Sequence, residues 1–596
     1  MENVEIAHLL SKYADLLEIQ GEGRFRVLAY RNAARTIESL SQPVAQLIAE
    51  GKDLKTLKLP GVGERMAEHI EEIIETGTLQ ALKVLRKEIP ATLDELLEVE
   101  GLGPKRTKQL YLKLGISSIK QLEQAIASGK VESLPGFGKK SVEKIRQAIQ
   151  NLAKRPKRFK LLDADQLVRS LIEYLREGGN IEQLEVAGSY RRRMETVGDI
   201  DILAASDNAK PVMQRFQTYP EVERVIAAGT TRGTVILRSG LQVDLRILPQ
   251  RSYGAALHYF TGSKAHNIAV RTLGVERGLR ISEYGIFRVP KGKKAEEVGI
   301  EEGERIGGAT EQDVFRSVDL DWVPPELRED RGEIQAAQKH MLPDLIALDD
   351  IRGDLHLHSK WTDGNSTILE MVRACKERGY QYCAITDHSK AVRVAGGLNA
   401  EGFKRQREEI EQAREKVPGI TVFTGCEVDI LPDGSLDLPD DLLDKLDVVV
   451  AAVHSKMDMP QSEMTQRVLK ALAQPAVNIL AHPTGRLINQ REPFAIDLER
   501  IFHAAKEHDI AVELNAQPDR LDLNDRHLLR AREIGVKIAI STDAHSTGQL
   551  QFMSYGIGQA RRGWLEKRHV LNAMTRTQLE IWLKRRRQRF GKAGAL

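Results

Sequence analysis

Between Asp350 and Ser546 stand nine of the chain's 15 histidines, and six of them sit beside acids at the ends of short apolar, strand-like runs. DLHLHS places His356 and His358 two apart, on one face of a strand. Asp363 follows in the loop WTDG, then come TDH with His388, GCEVDI with Glu427, VAAVHS with His454, AHP with His482, and STDAH with Asp543 and His545. The runs that carry them, such as YCAIT, VFTG, VVVAAV, VNILA and VKIAIS, are separated by stretches of helical character. Few folds are open to such a chain. Strand and helix in alternation, with polar residues gathered at the C-terminal strand ends, predict a β/α barrel whose top face carries a site. One isolated His-x-His is more often structural than ligating. Nine His, Asp and Glu positions at successive strand ends have no comparable structural explanation.

The 596 residues, 41% hydrophobic, suffice for three or four domains that each bury a core, which excludes disorder as a description of the whole. No apolar run approaches the roughly 20 residues of a membrane span, and the acidic, amphipathic N-terminus does not read as a signal peptide. No membrane partner and a cytoplasmic location are expected. Cys375, Cys383 and Cys426 are scattered without a C-x-x-C spacing, so neither a disulfide framework nor a thiolate zinc site is indicated. The formal net charge of +3 conceals an asymmetry: Gly101 to Lys160 holds 15 Lys and Arg against three acids, a net of +12. A basic block beside acidic ones points to a polyanion partner for one segment and cations for another, with a solvated basic surface as the plain alternative.

Toward the N-terminus a single pattern recurs three times: LPGVGERMAEHIEEI from Leu59, VEGLGPKRTKQLYLKL from Val99 and LPGFGKKSVEKIRQAI from Leu134. An apolar residue precedes Gly-apolar-Gly, and an amphipathic helix follows. The glycine pairs Gly61 and Gly63, Gly101 and Gly103, and Gly136 and Gly138 permit a tight hairpin whose backbone N–H groups face an anion. A single copy is most often a plain helix-to-helix turn; three copies, two with Lys-rich helices, resemble helix-hairpin-helix motifs, which hold DNA by its backbone. Residues 1 to about 152 are expected to be all α.

After the basic linker KRPKRFK the pattern changes to short strands. In LEVAGSYRRRMETVGDIDILAA, Asp199 and Asp201 project from one face of a strand. In LQVDLRIL, Asp244 stands between apolar neighbours, where a carboxylate needs a cation or donor. Three such carboxylates around two Mg²⁺ ions suit in-line phosphoryl transfer. Gly188 and Ser189, at a strand-to-helix turn ahead of Arg191 and Arg192, suit phosphate oxygens. An arbitrary D-x-D is usually a pair of surface aspartates, but GSYRRRMETVGDID, VDLRI and YFTGS together closely resemble the X family of DNA polymerases, of the beta type. That resemblance implies a nucleotidyltransferase palm with Asp199, Asp201 and Asp244 as ligands of two Mg²⁺ or Mn²⁺, Asp244 lying nearest the primer 3′-hydroxyl. It implies triphosphate contacts from Ser189, Arg192 and Gly198, a sugar-facing segment at Tyr259, Phe260 and Gly262, and minor-groove contacts from Asn267 and Arg271.

Two residues depart from the family pattern. His69 stands where members with deoxyribose-phosphate lyase activity carry the Schiff-base lysine, and an imidazole forms no imine. Lyase chemistry is therefore expected to be weak or absent there. Lys264 replaces an acid, and a cation there is expected to tighten nucleotide binding.

The histidine-rich region in turn resembles the polymerase and histidinol phosphatase (PHP) domain in its complete metal-binding form. The resemblance implies a distorted seven-stranded barrel holding three divalent metals on His356, His358, Asp363, His388, Glu427, His454, His482, Asp543 and His545, with Glu427 bridging. Imidazole and carboxylate ligands without thiolate suit Mn²⁺, Zn²⁺ or Fe²⁺. Such metals acidify water and clamp a phosphodiester, so hydrolysis of phosphoester bonds is expected. Arg520 either holds a substrate phosphate or bridges two neighbouring aspartates. The run KRRRQRFGK reads as a solvated helix face, with DNA contact as the minority reading.

The expected architecture is multidomain α+β and α/β. Residues 1–95 form a helical DNA-binding domain with the first hairpin, 96–157 a helix-hairpin-helix fingers region, 158–250 the palm and 251–325 the thumb. Residues 326–349 are a linker, 350–585 the PHP phosphoesterase and 586–596 a basic tail. The resemblance implies an enzyme that fills short gaps in gapped or nicked DNA from dNTPs, as in base excision repair, and a monomer is the default expectation. A metal-dependent 3′-5′ exonuclease accompanies it, with abasic-site cleavage or 3′-phosphate removal as further chemistries. A DNA-binding scaffold with dead sites conflicts with the full set of ligands, and a phosphatase of small metabolites leaves the hairpins without a purpose.

Overall fold

The computed structural model describes residues 3–38, 44–49, 52–55, 57, 59, 61–88, 90, 93–97, 99, 101–154, 158–179, 181–290, 292–293 and 303–590. Residues 155–157 of the basic linker and 591–596 of the basic tail lie outside them. The chain divides into two compact units, Met1–Arg158 and Phe159–Leu596.

The first unit is helical throughout its described residues, from Asn3–Gln20 to Lys139–Lys154. Ile6, Leu10, Tyr13 and Leu17 recur at the spacing of one helix face, as do Val27, Tyr30, Ala34 and Ile37 on the Arg24–Glu38 helix, and all are buried in one core. Each such side chain stabilises the fold by about 1.5–3 kcal/mol where it is large and fully covered. Arg31 ties the two helices through Asp15 at 2.8 Å and Glu18 at 2.7 Å.

The second unit begins with β1 (Phe159–Lys160), paired with β3 (Thr196–Val197). A five-stranded sheet follows, built of β2 (Gln183–Val186), β4 (Asp199–Ala205), β5 (Val222–Ala228), β6 (Arg232–Leu237) and β7 (Gln242–Leu248) in the order β2-β4-β7-β6-β5. Only β4 and β7 run parallel, in a register that sets Asp201 directly against Asp244. This is the palm. The thumb packs helices Tyr253–Thr261, Lys264–Glu276 and Glu311–Ser317 with an antiparallel sheet of β8 (Leu279–Ser282), β9 (Gly285–Arg288) and β10 (Glu304–Gly307).

The segment 326–349 reads from its prolines and charges as a connector, yet its beginning is packed into the thumb. Arg328 is fully buried and donates to Glu311 at 2.7 Å and to the Val323 carbonyl at 2.9 Å, while buried Glu333 meets His266 Nδ1 at 2.8 Å. Ile334 and Ala337 join the thumb core. The charges that look solvated in sequence are paired with buried groups of the thumb helices.

Seven parallel strands then follow in sequence order: β11 (Gly353–Leu357), β12 (Tyr382–Ile385), β13 (Thr421–Asp429), β14 (Val448–Ala452), β15 (Ile479–Leu480), β16 (Ala511–Asn515) and β17 (Ile538–Ser541). Helices separate most of them, as the alternation predicts. The seam between first and last strand is irregular. At its top a bridge joins Leu357 to Ala544, with His358 N–H donating to the Ala544 carbonyl at 2.9 Å. Lower down the Asn572 amide stands between the strands, bonded to the carbonyls of Gly353 and Ile540 and to the Ile540 N–H. This makes the barrel distorted: a side chain replaces a stretch of the ladder that would close it.

Helix Arg576–Phe590 covers one end of the barrel with Leu579, Trp582 and Leu583. Its basic run is therefore not simply a solvated face. Arg586 is buried and donates to the Pro475 carbonyl at 2.7 Å, and Arg585 pairs with Asp509 at 2.7 Å. Cys375, Cys383 and Cys426 are free and buried.

Candidate metal and nucleotide sites

Glu427 is the centre of the barrel site. On β13 its side chain is buried, and five imidazoles surround it: His388 Nδ1 at 2.8 Å, His482 Nε2 at 2.9 Å, His454 Nε2 at 3.2 Å, His356 Nε2 at 3.5 Å and His358 Nε2 at 3.6 Å. Asp543 Oδ1 lies 3.1 Å from His358 Nε2 and 3.7 Å from His356 Nε2. Asp363, from the loop, meets His545 Nε2 at 3.3 Å and His388 Nε2 at 3.6 Å. All nine sequence-predicted residues thus converge. Eight of them form three groups whose ligand atoms lie within 4.8 Å of one another: His358 with Asp363, His388 and His545; His356 with His358 and Asp543; and His388 with Glu427 and His454.

The donor set fits divalent ions. His356 Nε2, both ring nitrogens of His358, and His482 Nδ1 are buried with no hydrogen bond, a cost that a cation would remove. The electrostatics point the same way. Burial pushes the Glu427 carboxyl up, but His388, His454 and His356 more than offset this and hold it well below the usual range. Burial likewise opposes charge on His388, yet Glu427 and Asp363 raise it to about 10. His358 is driven down to about 4 by burial, with His545 and His388 adding repulsion. His482 and Asp543 adopt φ of 25° and 50°, strained conformations of order 1–3 kcal/mol each that fall on ligands.

Sequence reasoning missed the residues that aim these ligands. Glu513 on β16 accepts from His356 Nδ1 at 2.7 Å through one oxygen and from the His482 N–H at 2.7 Å through the other. Asp429 faces His454 Nδ1 at 3.2 Å, and the Asp543 carbonyl takes His545 Nδ1 at 2.8 Å. In each of these three rings the bonded Nδ1 leaves Nε2 toward the centre. Buried Asp387 gathers Ser359, Thr362 and Gln406, fixing the loop that bears Asp363. Alternation carried a signal: Glu427 and Asp429, or Asp354, His356 and His358, occupy every second position and share a face.

Arg520 does not bridge its neighbouring aspartates by any hydrogen bond among the described residues. Its Nε stands 4.0 Å from Asp543 Oδ2, and its Nη1 is buried without a partner. That disposition suits an anion beside the metal ligands.

In the palm, Asp201 and Asp244 are register partners and Asp199 lies exposed at the start of β4. Asp244 is buried and accepts from Thr234 Oγ1 at 2.5 Å and Gln242 Nε2 at 2.8 Å. Burial, then Asp199 and Asp244, raise the Asp201 carboxyl to about 6. Among the described residues, clusters of three ligand atoms within 4.8 Å occur in the barrel and not at these carboxylates. Gly188, at φ 64°, heads a short helix, and a Cβ there would come within 3.0 Å of Asp201 Oδ2. Ser189 and Gly198 are half-buried nearby in sequence. Arg192 donates to Glu329 at 3.0 Å and to the Thr261 carbonyl at 2.5 Å. Tyr259 and Phe260 are half-buried, Gly262 has φ 66°, and Asn267 donates to the Tyr259 carbonyl at 2.7 Å. Lys264 and Arg271 are exposed; with Asn267 they recur at three and four residues along one face of the Lys264–Glu276 helix.

The three hairpins of the first unit share one geometry. Gly61, Gly101 and Gly136 have φ of 75°, 87° and 84°. Val62, Leu102 and Phe137 point into the core, and a Cβ on Gly63, Gly103 or Gly138 would meet open space. Arg106 clamps the second and third hairpins by donating to the carbonyls of Gly101 at 2.8 Å and Gly136 at 3.0 Å. His69 is half-buried, with Nδ1 2.9 Å from the Tyr30 hydroxyl, and burial lowers its pKa.

Four family models match the chain: a helix-hairpin-helix domain over residues 1–79, a SAM-like helix-hairpin-helix tandem over 93–151, a DNA polymerase beta thumb over 256–329 and a PHP domain over 354–517. Asp543 and His545 lie beyond the last match. Among curated proteins, the DNA polymerase/3′-5′ exonuclease PolX of Bacillus subtilis (strain 168) is 39% identical across 98% of this chain and 100% of its own length. Rat DNA polymerase lambda is 25% identical over 55% of this chain and 56% of its own. A probable phosphatase of Thermoanaerobacter sp. (strain X514) is 28% identical over 40% of this chain and 96% of its own. No helix of the described residues is long and apolar enough to cross a membrane.

Proposed function

The chain belongs to the PolX family of DNA polymerases with 3′-5′ exonuclease activity, and from that membership we propose a division of labour between its two sites. It is a DNA polymerase that fills short gaps from dNTPs, joined to a metal-dependent exonuclease in the barrel. Asp199, Asp201 and Asp244 hold the polymerase's two Mg²⁺ or Mn²⁺ ions. Gly188, Ser189, Arg192 and Gly198 receive the triphosphate, Tyr259, Phe260 and Gly262 lie along the sugar, and Lys264 and Asn267 border the nucleotide. Arg271 and the glycines of the three hairpins grip DNA.

In the barrel the nine converging donors hold three divalent ions, which when bound polarise a phosphodiester and acidify water. Glu427, central among five imidazoles, would lend its carboxylate to these ions. Arg520 takes a phosphate oxygen of the strand being degraded. The single observation that carries this reading is the convergence of five imidazoles on one buried carboxylate within the same compact unit as the Asp201–Asp244 pair. The 3′ end is cleaned or trimmed at one site and extended at the other, the pairing of activities that gap filling in base excision repair needs.

The test is a gapped, labelled DNA given Mg²⁺ and dNTPs, and then Mn²⁺ without dNTPs. Asp199→Ala abolishes extension and spares degradation; His356→Ala does the reverse. Extension surviving Asp199→Ala, or degradation surviving His356→Ala, refutes the corresponding assignment. With His69 at the lyase position, borohydride traps no adduct on the Glu64–Thr76 helix.

A further inference from the structure

Arg192, the palm arginine assigned to the triphosphate, is held by partners that reach into the barrel. Its Nε donates to Glu329 Oε1 at 3.0 Å and its Nη1 to the Thr261 carbonyl at 2.5 Å. Two of its three nitrogens are committed, so the guanidinium plane is set while Nη2 remains for an anion. Glu329 is in turn shared. Arg562, the last residue of the Met553–Arg562 helix of the barrel, donates through Nη1 to Glu329 Oε1 at 2.9 Å and to the Arg192 carbonyl at 2.8 Å. Its Nη2 donates to Asp525 Oδ2 at 2.7 Å, an oxygen that also accepts from Arg331 Nη1 at 2.9 Å. The Arg562 side chain is 1% exposed, and those of Arg192 and Glu329 are each 14% exposed.

We propose that Arg562 is a positioning residue of the polymerase site: through Glu329 and the Arg192 backbone, the barrel presets the arginine that receives the incoming triphosphate. A long side chain that must be ordered at each binding event loses rotamer freedom each time; one already fixed by a part-buried carboxylate does not. Arg192 Nε and Arg562 Nη1 share the one oxygen Glu329 Oε1, so the carboxylate is itself held by Arg562 while it holds Arg192. Removing Arg562 leaves Glu329 with a single cation and the Arg192 carbonyl without this donor. The consequence falls on nucleotide binding more than on the chemical step, because the palm carboxylates are untouched. The same Asp525 begins the helix that follows the loop bearing Arg520, so the chain of contacts leads from the nucleotide site to the edge of the metal site.

The inference rests on the reading of Arg192 as a triphosphate contact, and the experiment separates the two. Single-nucleotide gap filling by the full chain is measured with dNTP varied, for Arg192→Ala, Arg562→Gln, their double variant and Arg561→Ala. Arg561 also links the barrel to the thumb, through Glu326 at 2.7 Å, without touching Arg192 or Glu329, so it controls for a general loosening of the interface. Arg562→Gln raises KM for dNTP about tenfold and lowers kcat less than threefold, the scale of coupling through one shared partner. Arg561→Ala leaves KM unchanged, and the double variant has the KM of Arg192→Ala alone. If Arg562→Gln does not fold, Arg562→Lys and Glu329→Gln carry the same readout. A normal KM in the Arg562 or Glu329 variants, or a multiplied KM in the double variant, overturns the proposal while leaving Arg192 in place. A normal KM in Arg192→Ala overturns both.

Discussion

Glu513→Gln separates metal binding from the ligands themselves, since Glu513 is not within reach of a shared ion but of the imidazole that binds it. The carboxylate is fully buried and takes three donors: His356 Nδ1 at 2.7 Å, the His482 N–H at 2.7 Å and Asn515 Nδ2 at 3.2 Å. Glutamine keeps one acceptor oxygen. If that oxygen stays with His356, the new amide NH₂ faces the His482 N–H; if it turns the other way, NH₂ faces His356 Nδ1–H. Either arrangement opposes two donors in a buried space, at a cost of about 2 kcal/mol. Felt at the metal site, this corresponds to roughly 30-fold weaker binding, within the 10–100-fold range for partners that orient a ligating histidine. The assay is equilibrium dialysis against a metal buffer, with metal per chain read by atomic emission, alongside degradation of single-stranded DNA. Glu513→Gln loses metal at free concentrations that saturate the parent chain, and degradation falls with occupancy and recovers as metal is added. Extension in Mg²⁺ with dNTPs stays at the parent level. Full metal occupancy in Glu513→Gln across the titration would refute the orienting role.

Glu311 is paired with Arg328 at 2.7 Å and Arg191 at 2.7 Å; burial alone would raise its carboxyl, but the two arginines hold it well below the usual range. Its contribution is complete above the ordinary carboxyl value of 4.5 and is lost as pH falls below that toward the depressed native value, so the gap in unfolding free energy between parent and Glu311→Gln, about 3 kcal/mol near neutrality, closes on acidification. Denaturant melts at pH 7 and pH 3 check this. Gly136→Ala forces a Cβ onto φ 84° and costs about 1 kcal/mol, weakening DNA binding without reducing dependence on dNTP; fluorescence anisotropy on gapped DNA over a salt series reads it. Lys264→Asp lowers nucleotide affinity at the start of the Lys264–Glu276 helix, read as a higher KM for dNTP with DNA affinity unchanged.

Much of the fold was legible because each region has its own period. The Gly-apolar-Gly repeats announce hairpins, and the φ values of Gly61, Gly101 and Gly136 are the backbone conformations that only glycine adopts freely. The barrel was legible from polar residues placed at strand ends, and these residues are brought together because the strands run parallel and present the same end to one face. The connector at 326–349 and the helix Arg576–Phe590 were misjudged for one reason. Arginine and glutamate look solvent-facing in a linear sequence, and whether Arg328 or Arg586 is buried depends on acceptors supplied by other elements of the packed chain.

The sequence by itself determined which residues share a face: alternation and helical spacing are set by backbone geometry within a few residues, so the strand-end His, Asp and Glu residues, the aspartate pair of β4 and the hairpin glycines could be singled out from it. Tertiary structure alone decided which faces meet. Glu513 beneath His356, Asn572 in the barrel seam, and Arg562 against Glu329 and Arg192 join residues separated by 157, 219, 233 and 370 positions. No local period encodes such pairs, because they are chosen by what the packed elements bury together and by the need of each buried charge for a partner.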